Sequence, residues 1–318
     1  MVDVSVIIPS HNMRDLVGIC IDSVLAQTAV PSEVIVVDDS IDDSAAVIEP
    51  YVQRTNGQVK LLRVEPCNVS EARNIGIERA TKPLIAFLDA DDIWLADKTC
   101  RQIALLAEDQ QAAGAFCGLF TFRQGLDDME RKPWDMVKDR PSITEVLATQ
   151  MIVSSAMLIR RAALGDIRFD ETSGHGEDTV FSADIALAGP WRCDVEPMLA
   201  RRLHGTQITA NPWHMVWNTK TRAMWCRAHT PQIGKDTAEH LEQQLWKSLV
   251  EHVERRYWTR QLDELRSICR ETARLCPAQY ERSSLAGRRI YPRWVYRLRD
   301  GITPWAGTWH NHINHFDK

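Results

Sequence analysis

Leu84-Ile85-Ala86-Phe87-Leu88-Asp89-Ala90-Asp91-Asp92 is the stretch that decides the reading of this chain. An apolar run after Pro83 stops abruptly in three carboxylates. An unbroken apolar run of this length reads as a strand buried on both faces, as inside a parallel sheet. Carboxylates at its end then lie on the carboxyl edge of the sheet, where open α/β sheets bind ligands. The spacing Asp-x-Asp can hold a hard divalent cation, and that cation can hold a diphosphate. An acidic loop that caps the following helix is the alternative reading of the same residues.

Working outward, the flanking sequence alternates strand and helix signals. Strands are predicted over Asp3–Pro9, Glu33–Val37, Val59–Val64 and Pro83–Leu88, and further ones over Ala115–Phe122 and Ser154–Arg160. Helices are predicted over Met13–Gln27, from a cap at Ser70 to about Ala80, and over Asp97–Glu108. Val17, Ile21, Val24 and Leu25 share one face at helical spacing. Such alternation implies βαβ units and a mostly parallel sheet. The polar stretch Arg123–Pro141 is a loop of the size that covers sites. After about Asn211 only helical periodicity remains, as in Leu241, Leu245, Leu249 and Val253. The expected organisation is therefore a catalytic α/β domain over 1–210 and a helical region over 211–318.

Charge follows the same division. Residues 1–200 carry 18 Lys+Arg against 32 Asp+Glu, a net of -14; residues 201–318 carry 20 against 11, a net of +9. Eight of the eleven Trp also lie after residue 200, so the two parts are expected to meet different partners. No apolar stretch approaches the ~18–20 residues that span a bilayer. The strand pattern from Val4 leaves no room for a signal peptide, and the eight scattered Cys form no Cys-x-x-Cys pair. Both features fit a cytoplasmic protein with reduced thiols. No Gly-x-Gly-x-x-Gly follows a strand, which disfavours a dinucleotide-binding dehydrogenase. A nucleotidyltransferase would bring a Gly- and Lys-rich phosphate loop, and Pro9–Asp15 contains neither residue.

Motifs recur where strands end. Pro9-Ser10-His11-Asn12 follows the first strand, Asp38-Asp39 the second and Asp89-Ala90-Asp91-Asp92 the fourth. Ala72-Arg73-Asn74-Ile75-Gly76-Ile77 lies between them, and Gly176-Glu177-Asp178 opens a later helix. In this order and at these separations, roughly over residues 3–205, the set resembles the family 2 glycosyltransferases of the GT-A fold. The resemblance implies a Rossmann-like, mostly parallel sheet flanked by helices, with a C-terminal helical appendage. It implies inverting transfer of one sugar from a nucleotide-diphosphate sugar, UDP-sugars favoured, to a glycan or lipid-linked acceptor.

Residue by residue, the resemblance implies that Pro9, His11 and Asn12 shape the nucleotide pocket. Asp38 or Asp39 accepts a hydrogen bond from the base, and Arg73 reaches the base or the diphosphate. Asp89 and Ala90 face the ribose, Asp91 holds Mn²⁺ or Mg²⁺, and Asp92 supports the metal or the sugar. His204, after the basic pair Arg201-Arg202, is a candidate metal ligand near the diphosphate. Asp178, with Glu177 beside it, is the general base that takes the acceptor hydroxyl proton. Relatives often follow the second acidic pair with Gly-Ser, whereas this chain has Ser40-Ile41. Without a residue that tolerates φ > 0, the turn geometry stays open, and a binding module without catalysis is the rival reading. The missing Gln-x-x-Arg-Trp motif and missing membrane spans point away from processive synthesis. Arg288–Arg299 interleaves basic and aromatic residues and could touch an anionic membrane or pack as an ordinary helix. No nucleic-acid partner is expected from so acidic a first half.

Overall fold

The computed structural model describes residues 1–123, 125–132, 138–149, 152–205, 210–259, 261 and 264–288. Its strands are β1 (Val2–Ser10), β2 (Pro31–Asp38), β3 (Val59–Arg63), β4 (Leu84–Phe87), β5 (Ile93–Trp94), β6 (Gly114–Phe122), β7 (Glu130–Arg131), β8 (Leu158–Arg160) and β9 (Trp191–Arg202). They form one sheet in the order β3-β2-β1-β4-β8-β6-β9-β5, with β7 paired to β6. The long ladders, β1 with β2, β2 with β3, β1 with β4 and β6 with β9, are parallel. The antiparallel pairings of β8, β5 and β7 are each only two or three residue pairs long. The sheet is thus mostly parallel, as expected from the alternating pattern.

Helices between the strands are α1 (Val17–Leu25), α2 (Ser44–Arg54), α3 (Val69–Arg79), α4 (Lys98–Glu108), α5 (Ile143–Thr149), α6 (Arg161–Leu164) and α7 (Glu177–Ala188). The central strands are inaccessible along almost their whole length. Val4, Val6, Ile7 and Ile8 of β1, and Ile85, Ala86 and Phe87 of β4 with the adjoining Leu88, are all buried. Burial on both faces is what parallel strands covered by helices require. The run that ends in Asp89 therefore emerges from the core as the sequence indicates.

One close approach fixes how α3 lies on β1. A Cβ at Gly76 would come within 2.3 Å of the Ile7 side chain, so only glycine lets this helix sit so near the strand. The neighbouring Asn74 clamps the chain ahead of α7. Its Nδ2 donates to the Phe169 carbonyl and its Oδ1 accepts from the Phe169 N–H, both at 2.9 Å. Phe169 then stacks on Phe181 of α7 at 3.8 Å, and both rings meet Phe87 edge-on. The Ala-Arg-Asn-x-Gly motif is in this way partly structural: Gly76 and Asn74 set the packing that aims Arg73.

Several expected elements shift. The cap of α3 is Asn68, whose side chain accepts from the Glu71 N–H at 3.0 Å, and not Ser70, which is buried. The strand expected over Ser154–Arg160 is a 3₁₀ turn at Ser154–Ala156 and then β8. Asp92 does not cap a helix: β5 comes next, and α4 begins after Asp97.

The chain divides into two compact units, Met1–Leu245 and Trp246–Lys318. The first also contains α8 (His214–Ala228) and α9 (Thr230–Ile233), and the division falls inside α10 (Lys235–Trp258). In the second unit, α11 (Leu265–Leu275) buries Leu265, Ile268, Cys269 and Thr272, the i, i+3, i+4, i+7 stripe of an amphipathic helix. After it comes α12 (Pro277–Glu281). Of the basic, aromatic stretch Arg288–Arg299, only Arg288 lies within the described residues, with its guanidinium over the Trp258 ring at 5.2 Å. Among the described residues no helix is long and apolar enough to cross a membrane.

Candidate active site

The ends of β1, β2 and β4 open into a cavity of about 430 Å³ within the first unit. Its floor carries Pro9, His11, Asp39, Asp89, Ala90 and Asp91. The far wall comes from the starts of α7 and α8 and from the end of β9, and includes Glu177, Asp178, Arg201 and His204. Residues separated by nearly the whole first unit thus converge at the carboxyl edge of the sheet.

The two aspartates after β2 part company. Asp38 is fully buried, ion-paired with Arg63, and accepts from the Ser40 hydroxyl at 2.6 Å. It does not line the cavity, contrary to one of the two expectations for this pair. Asp39 does line it, held by His11 Nδ1 at 2.9 Å and by the Cys67 N–H at 3.0 Å. Each carboxylate oxygen keeps a lone pair beyond these bonds, so Asp39 can accept a further N–H. Asn12 is likewise not a lining residue. It adopts a left-handed φ of 53°, donates its N–H to Ser40 Oγ at 2.7 Å and accepts from the Ile41 N–H at 3.1 Å. Asn12 therefore stitches the β1 and β2 loops together. The turn after Asp39 needs no glycine, because none of Ser40, Ile41, Asp42 or Asp43 has a positive φ. The strained position sits at Asn12 instead, a residue type that tolerates it.

Arg73 stands at the centre. Its guanidinium is 3% exposed and bridges Asp89 at 2.7 Å, Glu177 at 3.1 Å and Ser154 Oγ at 2.9 Å. Burial works against its charge, and the two carboxylates outweigh that and raise its pKa. Asp89 gains in return. Burial alone would raise it, but the Arg73 charge and hydrogen bond hold it below the ordinary carboxylate value. Its N–H is held by Ser155 Oγ at 3.1 Å.

Asp178 experiences the opposite balance. Burial, then the adjacent Glu177 charge, lift its carboxyl to about 6 against the counter-pull of Arg73. Its Oδ1 accepts from the Thr179 N–H at 2.7 Å. A carboxyl of this strength can take a proton near neutral pH. The loop that delivers it depends on Gly176, at φ 78°. A Cβ there would also press on Asn218 of α8, at 3.1 Å from Cγ.

Asp91 Oδ2 and His204 Nε2 lie 2.9 Å apart at the cavity surface. One carboxylate oxygen and one imidazole nitrogen facing each other suit a divalent cation such as Mn²⁺, with further ligands left to a substrate. Among the described residues no group of three or more His, Cys, Asp or Glu forms a complete cation site. Asp92 also lines the cavity, and its carboxylate accepts the Arg202 N–H at 3.1 Å. Burial and then the charges of Asp91 and Asp89 push its carboxyl well up.

Sequence reasoning did not single out Ser154, Ser155, His175, His214, Asn218 or Arg201 as site residues, although all line the cavity. The pair Arg201-Arg202 is visible in sequence, but strand alternation decides which side chain faces inward. Arg202 lies over the Phe122 ring at 4.5 Å. Arg201 lines the cavity, and its guanidinium makes no hydrogen bond or ion pair among the described residues. It is a cation available to a ligand, and its charge already favours the ionised forms of Asp89 and Asp178.

Residues 5–168 match the model of Glycosyl transferase family 2. The chain belongs to that family. It is accordingly a glycosyltransferase. A curated relative, the putative teichuronic acid biosynthesis glycosyltransferase TuaG of Bacillus subtilis, is 28% identical over 221 residues, 68% of this chain and 85% of TuaG. The Escherichia coli UDP-Glc:alpha-D-GlcNAc-diphosphoundecaprenol beta-1,3-glucosyltransferase WfgD is 36% identical over 107 residues, 33% of this chain and 42% of WfgD. In fold the family member is similar to S. aureus TarS 1-349 in complex with UDP-GlcNAc, with TM-score 0.61 and 19% identity over 80% of this chain and 73% of that one. It is also similar to the mannosyltransferase PcManGT from Pyrobaculum calidifontis in complex with GDP-Man and Mn²⁺, with TM-score 0.56 and 17% identity over 94% and 79%. The GT-A fold expected from the motifs is borne out.

Proposed function

We propose that this glycosyltransferase moves one sugar, with inversion, from a nucleotide-diphosphate sugar to a hydroxyl of a glycan or lipid-linked acceptor. The observation that carries the reading is the Asp178 carboxyl, raised to about 6, in one cavity with Arg201 and the Asp91–His204 pair. Asp39, at the end of β2, accepts the base N–H, for which the uracil imide is the natural partner. Pro9 and His11 form the wall beside it, and Asp89 faces the ribose. Arg73 holds Asp89 and Glu177 in register, so neither carboxylate swings toward the other face of the cavity.

Negative charge grows on the departing diphosphate as the anomeric bond breaks. Arg201 supplies a cation for it from the protein itself. Asp91 and His204 would hold a divalent metal, Mn²⁺ or Mg²⁺, which when bound offsets the same charge. Asp178 takes the acceptor proton, and Glu177 beside it helps to keep the Asp178 carboxyl basic.

UDP is supported by Asp39 and by the relatives whose names carry UDP-sugars; GDP, carried by the mannosyltransferase, is the main competitor. A lipid-linked acceptor is supported by the diphosphoundecaprenol in the name of WfgD. A cytoplasmic placement with peripheral contact to anionic lipid belongs to the same proposal, on the net +9 of residues 201–318. The test is a donor hydrolysis and transfer screen across UDP-, GDP- and dTDP-sugars with and without Mn²⁺. Release of sugar from none of them overturns the reading.

A further inference from the structure

Behind the cavity lies a buried cation that the proposed mechanism does not use. Lys98, at the start of α4, is 1% exposed. Its Nζ donates to Gln102 Oε1 at 2.8 Å and lies 3.9 Å from the centre of the Trp94 ring. No carboxylate pairs with it among the described residues. Burial pulls its pKa down to about 8, so it stays charged in the neutral range. Lysines are rarely buried without a paired carboxylate, and an uncompensated buried charge is destabilising. An apolar side chain of the same length would fill this space without that cost.

Both partners of Lys98 act on one turn. Gln102 Nε2 donates to the Ala156 carbonyl at 2.7 Å, and Trp94 Nε1 donates to the Ser155 carbonyl at 2.9 Å. Trp94, Gln102, Ser154 and Ser155 are all buried. An ammonium has donors and no acceptor, so it holds Gln102 with Oε1 toward itself and Nε2 toward Ala156. Its charge over the indole face draws on the ring electrons. The Trp94 N–H becomes a stronger donor, as each member of a hydrogen-bonded chain polarises the next. One ammonium thus directs two N–H groups at successive carbonyls of the 3₁₀ turn. The other side of that turn is the site. Ser154 Oγ accepts from Arg73 Nη2 at 2.9 Å, and Ser155 Oγ accepts the Asp89 N–H at 3.1 Å. The turn spans only Ser154–Ala156, so its carbonyls cannot shift without its hydroxyls.

We propose that Lys98 is a positioning residue: through Trp94 and Gln102 it sets the Ser154–Ser155 turn, and with it the placement of Asp89 and Arg73 against the donor nucleotide. The inference deepens the proposed function and rests on Asp89 facing the nucleotide.

Lys98→Met removes the ammonium and keeps an unbranched side chain. Calorimetry of UDP, GDP and dTDP with Mn²⁺ on the full chain reads affinity and stoichiometry separately. At least one of the three is expected to bind the wild type. Lys98→Met should weaken that nucleotide by about fivefold, the scale of one hydrogen bond, with the stoichiometry unchanged. A residue that served stability alone would lower the stoichiometry or the melting temperature and leave the affinity of the folded molecules as in wild type. Trp94→Phe keeps a ring under the ammonium and removes only the N–H. It should weaken the same nucleotide by a similar factor, and it decides the matter if Lys98→Met does not fold. In the background of Ser155→Ala, which frees the Asp89 N–H, either substitution should cost less than about twofold, whereas independent effects would multiply. Unchanged affinity in Lys98→Met, or in Trp94→Phe where Lys98→Met does not fold, overturns the proposal, and so do losses that multiply. Binding of none of the three nucleotides to the wild type is a distinct result: the donor reading then fails, and the role of Lys98 falls with it.

Discussion

Asp89 and Asp178 are the same residue type in the same cavity, and both feel the charge of Arg73, yet their carboxyls are driven in opposite directions. Asp89 touches the guanidinium at 2.7 Å and is held ionised. Asp178 receives no such contact; burial and Glu177 dominate and raise it to about 6. The difference comes from the elements that carry them. Asp89 leaves a strand of the parallel sheet, within reach of the helix that delivers Arg73. Asp178 sits in the first turn of α7, after a left-handed glycine. Two walls with oppositely tuned carboxylates are the pattern expected where one group binds and the other moves a proton.

The sharpest way to break this comparison is Asp178→Asn. The amide keeps the shape but takes no proton, so transfer should fall by ~10²–10⁴-fold while UDP affinity is retained. Stability should move the other way. A carboxyl raised in the folded state stabilises the fold at low pH, and that contribution is lost as pH rises through about 6. The variant should therefore melt at a higher temperature than wild type above pH 6, and the advantage should shrink toward pH 4. Transfer within a few-fold of wild type would place the base elsewhere.

Arg73→Met tests the other side. It leaves Asp89 and Glu177 partly buried without their shared cation, and breaking a buried ion pair costs ~3–5 kcal/mol. Urea denaturation should show a loss of that order. A loss below about 1 kcal/mol would mean that the bridge is not what holds the two walls together.

A pH profile sharpens the same contrast without mutation. The base works only when deprotonated, so the transfer rate at saturating substrates should be flat at alkaline pH. It should fall about tenfold per unit once pH drops below about 6. A profile flat down to pH 4.5 would show that Asp178 is not raised during turnover.

Much of the first wall was legible in the sequence. Apolar runs such as Ile85–Leu88 mark buried strands, and the carboxylates at their ends must lie at the sheet edge. The second wall was less legible. β9 is interrupted by exposed Val195 and Glu196 and contains Pro197, so its alternation is broken and no strand signal survives. The inward turn of Arg201, the serines of the 3₁₀ turn, and His214 and Asn218 depend on tertiary packing that no local pattern encodes. The missing glycine after Asp39 misled for a related reason. The strain it would have relieved sits across the loop at Asn12, which is 28 residues away in sequence and bonded to Ser40.

That loop supplies the smallest predicted effect and the closest comparison of all, between adjacent aspartates. Asp39 lines the cavity and keeps acceptor capacity; Asp38 is buried against Arg63 and Ser40. If Asp39 meets the base, Asp39→Asn replaces an accepting oxygen by a donating amide toward one of its partners and should weaken UDP binding by about tenfold, the value of one charged hydrogen bond. Asp38→Asn should leave UDP affinity within about twofold and lower the melting temperature, because the half-exposed Arg63 loses its ion-pair partner and keeps only its bond to the Ser40 carbonyl. Calorimetry of UDP against both variants reads the two effects together. Equal losses of affinity would mean that the loop acts as one unit and that the sequence pair cannot be divided into a structural and a binding member. A loss confined to Asp38→Asn would reverse the assignment and require the buried ion pair to open when the nucleotide enters.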